Sequence, residues 1–155
     1  MRTPSQTVGP FYAIGLCRRD DSRLVPDGIS LRGRLLDGDG IAVVDGMIEL
    51  WDSVAGRWGR SGTHPAGTFS FVVEKPLQRD GEAPHLLAYV FARGLLRHQL
   101  TRIYFPDETD ANARDPVLSS LPDDDRARLV AEQDDDDLRF DIHLQGDRET
   151  IFFTA

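Results

Sequence analysis

Residues 29–51, ISLRGRLLDGDGIAVVDGMIELW, leave little choice of fold. Ile29, Leu31, Gly33 and Leu35 share one parity, and Ser30, Arg32 and Arg34 the other. That is the period-two alternation of a half-buried strand. Asp37-Gly38-Asp39-Gly40 follows, with residues that tolerate positive φ and suit a tight reversal. Ile41 to Val44 reads as a second short run, Asp45-Gly46 punctuates again, and Met47, Glu49 and Trp51 alternate with Ile48 and Leu50. Three short runs broken by Asp-Gly signals predict antiparallel β-structure, half of a sandwich.

The other segments extend this pattern. Residues 1–16 carry Pro4, Thr3, Thr7, Gly9 and Pro10 ahead of any periodic run, which predicts an extended arm rather than a helix. The arm is either a frayed end or a segment whose Thr7, Gly9 and Pro10 bring backbone close to a ligand. Phe11, Tyr12, Ile14 and Leu16 favour packing on something. Residues 17–27 read as a surface connection, and residues 52–66 as a loop that Trp58 anchors. Residues 67–73 predict a strand with Phe69, Phe71 and Val73 on one face, and residues 75–83 a second loop.

Residues 84–93, PHLLAYVFAR, are apolar on both parities, so this strand is central or faces a partner. Residues 97–105 are its hairpin partner across Gly94-Leu95-Leu96. The one helix predicted spans residues 121–133, capped by Ser120, with Pro122 and Asp123, Asp124 and Asp125 in its first turn and Leu129 and Val130 inward. Residues 134–137 read as a solvated acidic turn. Leu138, Phe140, Ile142 and Leu144 then alternate with Arg139, Asp141, His143 and Gln145, and a last strand covers residues 150–153. The expectation is a mainly β chain: one antiparallel β-sandwich domain over residues 1–155, of about eight strands and one short helix, with the extended arm 1–16.

Charge and composition narrow the function. Twenty-six acidic against 18 basic residues give a net charge of -8, which disfavours nucleic acid and anionic membrane as partners. No apolar run approaches the roughly 20 residues of a membrane span, and the first residues lack a signal peptide's apolar region. The single cysteine, Cys17, excludes an internal disulfide. These features place the chain in the cytoplasm. The four histidines, His64, His85, His98 and His143, form neither His-x-His nor His-x-x-x-His. Asp141 and His143 share a strand face, but no nucleophile is tied to them. From the residues alone, the chain is a β-sandwich without a complete catalytic set.

Four separated motifs carry a family likeness: TPSQTVGPFY, APHLLAYVFARGLL, TRIYFPDE and RFDIHLQGDRETIFF. In this order they resemble the intradiol ring-cleaving dioxygenases, and among them the smaller alpha chains of the two-chain enzymes that open protocatechuate to 3-carboxy-cis,cis-muconate. The resemblance implies a hetero-oligomer with a beta chain. That partner would hold ferric iron, Fe(III), through two tyrosines and a His-x-His strand, and would use molecular oxygen.

His85 matches the first histidine of that pattern, but Leu87 stands at the second. The tyrosine ligands would fall in the loops after Trp51 and after Lys75-Pro76, and no tyrosine occurs between Tyr12 and Tyr89. Ferric iron prefers anionic oxygen donors, which leucine and glycine do not supply. The resemblance therefore implies a chain with no metal of its own and no catalytic residue, with His85 either a relic ligand or a satisfied core histidine. By position, Thr7, Gly9, Pro10 and Arg93 match alpha-chain residues that line the substrate cleft. An arginine fork suits the carboxylate of protocatechuate. Arg93 has a second reading, as a structural ion pair at the subunit boundary. The connections 17–27 and 52–66 are short for such a chain. Two rivals remain open: a non-catalytic transthyretin-like binding or structural module, and a self-sufficient enzyme built around His85, His98, His143 or a tyrosine.

Overall fold

Alternation decides which side chains enter the core, and the computed structural model of the chain, which describes residues 3, 4, 6, 9, 11–18 and 20–154 apart from the side chains of 12 and 13, follows it closely. Strand β1 (Ile29–Leu36) buries Leu31, Gly33 and Leu35 and exposes Arg32 and Arg34. It is preceded by a short helix, α1 (Phe11–Leu16). Four strands follow: β2 (Met47–Asp52), β3 (Arg57–Gly62), β4 (Thr68–Val73) and β5 (His85–Phe91). After β6 (Gln99–Tyr104) come three helical turns: α2 (Thr109–Arg114), α3 (Pro116–Ser119) and α4 (Asp123–Ala127). The short strands β7 (Glu132–Asp134), β8 (Asp137–Arg139) and β9 (Ile142–His143) close the order.

These strands make two sheets. One runs β4-β1-β8-β7, with β9 also on β1; the other runs β3-β2-β5-β6. Leu31, Leu35, Phe69, Phe71 and Phe140 from the first meet Ile48, Leu50, Leu86, Val90 and Ile103 from the second in one buried cluster. A smaller cluster of Ala83, Tyr104, Ala111, Leu118 and Leu129 lies under the helical turns. Burial of such side chains is the main favourable term in holding the sheets together. As the two-faced apolar pattern required, β5 is central, between β2 and β6. No helix among the described residues is long and apolar enough to cross a membrane.

Several expectations need correction. The sheet is not purely antiparallel: β8 and β9 both run parallel to β1. The run 138–144 is broken at Phe140-Asp141, where the Asp141 carboxylate accepts the Arg34 N–H at 3.0 Å in place of a backbone rung. Residues 57–62, read as loop, form the edge strand β3, whose Gly59 packs so closely on Leu24 that a Cβ would sit 2.4 Å from its Cδ1. Residues 41–44 form only a bridge, Leu36 to Ala42, and residues 150–153 only a bridge, Leu100 to Phe153.

The expected helix 121–133 contracts to the five residues of α4. Leu129 and Ala131 are pulled onto Tyr104 instead, through Tyr104 N–H to the Leu129 carbonyl and Ala131 N–H to the Tyr104 carbonyl, both 2.9 Å. Pro122 takes the N-cap position of α4 rather than its first turn, and Ser120 ends α3. Tertiary pairing here overrides local helix signals. The arm is not extended throughout, since residues 11–16 are helical. Two of its apolar side chains point largely to solvent: Phe11 is 61% exposed and Ile14 79%.

Candidate functional site

The start of β5 and two loops meet at one end of the second sheet. Ser53 and Val54 from the β2–β3 turn and Leu77, Arg79 and Glu82 from the loop 75–83 surround a cleft of about 160 Å³ with His85 at its wall. These are the two loops in which tyrosine ligands would fall. The fold thus brings the right segments together with the wrong side chains.

His85 is held in place by the backbone. Its Nδ1 lies 2.8 Å from the Ala83 carbonyl, which requires Nδ1 to carry the proton and donate. Its ring stacks obliquely on Tyr104 at 5.1 Å, and Nε2 is 3.8 Å from the Glu82 carboxylate. Burial, the largest influence, lowers its pKa, with Arg102 adding to the effect and the Ala83 contact and Glu82 opposing it. The imidazole is therefore neutral at pH 7.

Arg102 organises the rest of the cluster. It donates to the Tyr104 hydroxyl at 3.2 Å and to Glu82 at 3.2 Å. The Tyr104 hydroxyl in turn donates to Asp115 at 3.2 Å. Tyr104 is fully buried, and burial pushes its pKa far above the ordinary phenol value despite the neighbouring Arg102. It stays a neutral phenol and is no phenolate ligand. One imidazole, a locked phenol and a guanidinium do not fit ferric iron, which wants anionic oxygen donors. His85 reads as a satisfied, structurally held histidine.

Of the four residues matched to a substrate cleft, Thr7 and Pro10 lie outside the described residues, as does the side chain of Tyr12. Gly9 sits in a turn before α1 with φ of +67°, a conformation that favours glycine, and a Cβ there would meet nothing within 4 Å. Arg93 follows the far end of β5 from His85. Eight residue steps of strand and turn separate them, roughly 25 Å. The candidate substrate residue and the His85 cleft are thus different places on this chain.

Arg93 is 69% exposed and places Nε 3.3 Å from Asp45, whose other carboxylate oxygen is buried with no hydrogen-bond partner among the described residues. Asp45 was read only as turn punctuation. Its pairing with Arg93 follows from the Met47–Phe91 register of β2 and β5, which no local pattern reveals. The role of Arg102 was equally missed, although counting back across the β5–β6 hairpin would have set it opposite Leu87.

The protocatechuate 3,4-dioxygenase alpha chain of Burkholderia cepacia is 40% identical to this chain over 191 aligned positions, covering 98% of this chain and 96% of that one. The alpha chain of the same enzyme from Pseudomonas putida is 36% identical, covering 97% and 95%. The alignments are longer than the 155 residues of the chain, so both relatives carry insertions, in keeping with short connections here. No family model matches the chain. Among solved structures, an intradiol ring-cleavage dioxygenase from Tetranychus urticae superposes with a TM-score of 0.62 at 16% identity, covering 92% of this chain and 93% of that one. A dioxygenase domain from a Streptomyces carbohydrate-binding fusion gives 0.59 at 20% identity, covering 93% and 98%. At these identities the structures establish the sandwich fold.

Proposed function

The chain belongs to the protocatechuate 3,4-dioxygenase alpha chains, and from that membership we propose that it works as the non-metal subunit of an intradiol dioxygenase in the cytoplasm. Its partner is a beta chain that carries the ferric iron. The assembled enzyme opens protocatechuate with molecular oxygen to give 3-carboxy-cis,cis-muconate.

The donor set around His85 carries this division of labour. With Leu87 on the same strand face and Tyr104 locked as a phenol, the described residues of this chain leave the metal, and with it the activation of oxygen, to the partner. Its own contribution is to bind and orient. The exposed guanidinium of Arg93 keeps its outer edge open while Asp45 holds its Nε side, so it can pair with the substrate carboxylate. Gly9 offers a side-chain-free surface against which a flat ring can lie, and Thr7 and Pro10 are matched to the same role by sequence alone. Exposed Phe11 and Ile14, and the stacked pair Trp51 and Trp58, provide apolar area for the beta chain.

The test is co-expression with a beta-type chain that bears the two tyrosines and the His-x-His strand. The reading expects a stable complex, one iron per pair and turnover of protocatechuate, with the alpha chain alone colourless. Stoichiometric iron on the alpha chain by itself would overturn it. Failure to co-purify with any such chain would favour the binding-module alternative.

A further inference from the structure

The outer face of the first sheet is unlike the rest of this acidic chain. Arg34 and Arg139 both reach one carboxylate oxygen of Asp141, at 3.1 and 2.7 Å. Two guanidinium groups on one carboxylate leave a positive charge over. Beside them runs a groove of about 470 Å³ that Arg128 and Arg148 also line. Arg128 is partly spent, lying 3.5 Å from Asp125 and donating to the Glu149 carbonyl. Arg148 is exposed and has no hydrogen-bond or ion-pair partner among the described residues. Four arginines therefore face only two carboxylates, Asp141 and Glu132, within this lining, in a chain whose net charge is -8.

The groove also has an apolar side, from Ala127 and the half-buried Val130, and His143 stands in its wall. We propose that it binds a small di- or tricarboxylate, whose charged ends pair with Arg148 and Arg139 and whose carbon skeleton lies on the apolar side. Guanidinium forks match carboxylates in shape as well as in charge. Arg34 stays with Asp141, which its backbone N–H also holds at 3.0 Å, so an anion would meet Arg139, whose charge Glu132 and Asp134 offset in part. This site owes nothing to the subunit reading above and stands or falls independently of it.

His143 reports on it. Burial first, then Arg148 and Arg34, lower its pKa, while Asp141 opposes them. Asp39 and Asp147 line the neighbouring hollow that His143 and Arg148 share. An anion on Arg148 cancels part of the positive field, so His143 takes up its proton at higher pH when the groove is filled.

The experiment is titration of the full chain with citrate at constant ionic strength, in complex with its partner if it is purified only so. Heat and the His143 ring resonances are followed together. The expected result is saturable binding, a His143 titration moved to higher pH by citrate, and an affinity loss of about tenfold or more in Arg148→Ala and in Arg139→Ala. Arg114→Ala, on α2, should leave the affinity unchanged. Absence of saturable citrate binding, or binding that Arg148→Ala leaves intact, would overturn the site. Inorganic phosphate binding as tightly as citrate would overturn the carboxylate class.

Discussion

Leu87 lies directly across the β5–β6 ladder from Arg102, while its neighbour on the same strand face, His85, lies across from Tyr104. The place where a second imidazole would stand in the family's metal pattern is thus filled by an aliphatic chain next to a fixed cation. A guanidinium repels a ferric ion and holds the nearby phenol and Glu82 by hydrogen bonds. Leu87→His alone should therefore leave the purified chain free of iron and without a tyrosinate absorption band. Stoichiometric iron in that variant, by metal analysis, would show that the missing histidine was the sole obstacle.

Arg93→Ala in the assembled enzyme should raise the KM for protocatechuate about tenfold or more, the usual scale of one charge-assisted hydrogen bond. Catechol, which lacks the carboxylate, should show little change. Steady-state kinetics with both substrates separates this from a general disturbance of the interface, which would affect the two alike.

Asp115 is fully buried and accepts four hydrogen bonds: from the N–H groups of Val117, Leu118 and Ala83 at 2.8 to 2.9 Å, and from the Tyr104 hydroxyl at 3.2 Å. It caps α3 and ties it to the loop ahead of β5. Asp115→Ala should cost about 3 kcal/mol of unfolding free energy, since it strands buried donors. Tyr104→Phe, which removes one bond, should cost about 1 kcal/mol. Urea denaturation measures both. Equal losses would mean that the backbone bonds to Asp115 matter less than the tyrosine.

A Cβ on Gly33 would lie 1.8 Å from the Phe140 carbonyl oxygen and 2.6 Å from the Phe69 ring. The first of these is backbone and cannot swing aside. Gly33→Ala should thus destabilise the chain by about 3 kcal/mol or more, at the severe end for an overpacked site. Loss of soluble protein, or a midpoint far below that of a surface Gly15→Ala control, where a Cβ meets nothing within 4 Å, is the expected outcome.

Burial, with Arg102 adding to it, holds His85 below its usual pKa in the fold. The unfolded chain then takes up a proton that the folded chain refuses. Stability should accordingly be undiminished above about pH 6.5 and fall as the pH drops from there through the folded pKa. His143, lowered in the same sense, adds to that slope. Denaturation midpoints compared at pH 7.5 and 5.5 should differ less in His85→Gln than in the parent chain.

Much of this was legible in the residues. The alternation of Phe69, Phe71 and Val73, and the two-sided apolarity of β5, are periodic signals within single segments, and the structure keeps them. What escaped were features decided at a distance. β3 is an edge strand whose one large apolar side chain, Trp58, is exposed among Arg, Gly and Ser, so it carries no apolar alternation to read. The helix after Ser120 was cut short because Tyr104 claims Leu129 and Ala131. The parallel pairing of β8 and β9 with β1 joins residues more than 100 positions apart. Of the candidate site, Gly9 was singled out by the composition of the arm and again by family likeness, and Arg93 by the likeness alone. Asp45 and Arg102 became visible only once strand registers were known.

That last pairing has a consequence for how the chain is made. β1 is flanked by β4 on one side and by β8 and β9 on the other, so its second edge has no occupant while synthesis stands anywhere short of residue 137. Between the completion of β4 at Val73 and the arrival of Asp137, the first sheet can be at most a two-stranded ribbon with one open side. Its arginines, Arg32 and Arg34, face outward along that side, and charge there discourages sticking to neighbouring nascent chains. They serve as a guard on an unfinished sheet before they serve as partners for Asp137 and Asp141.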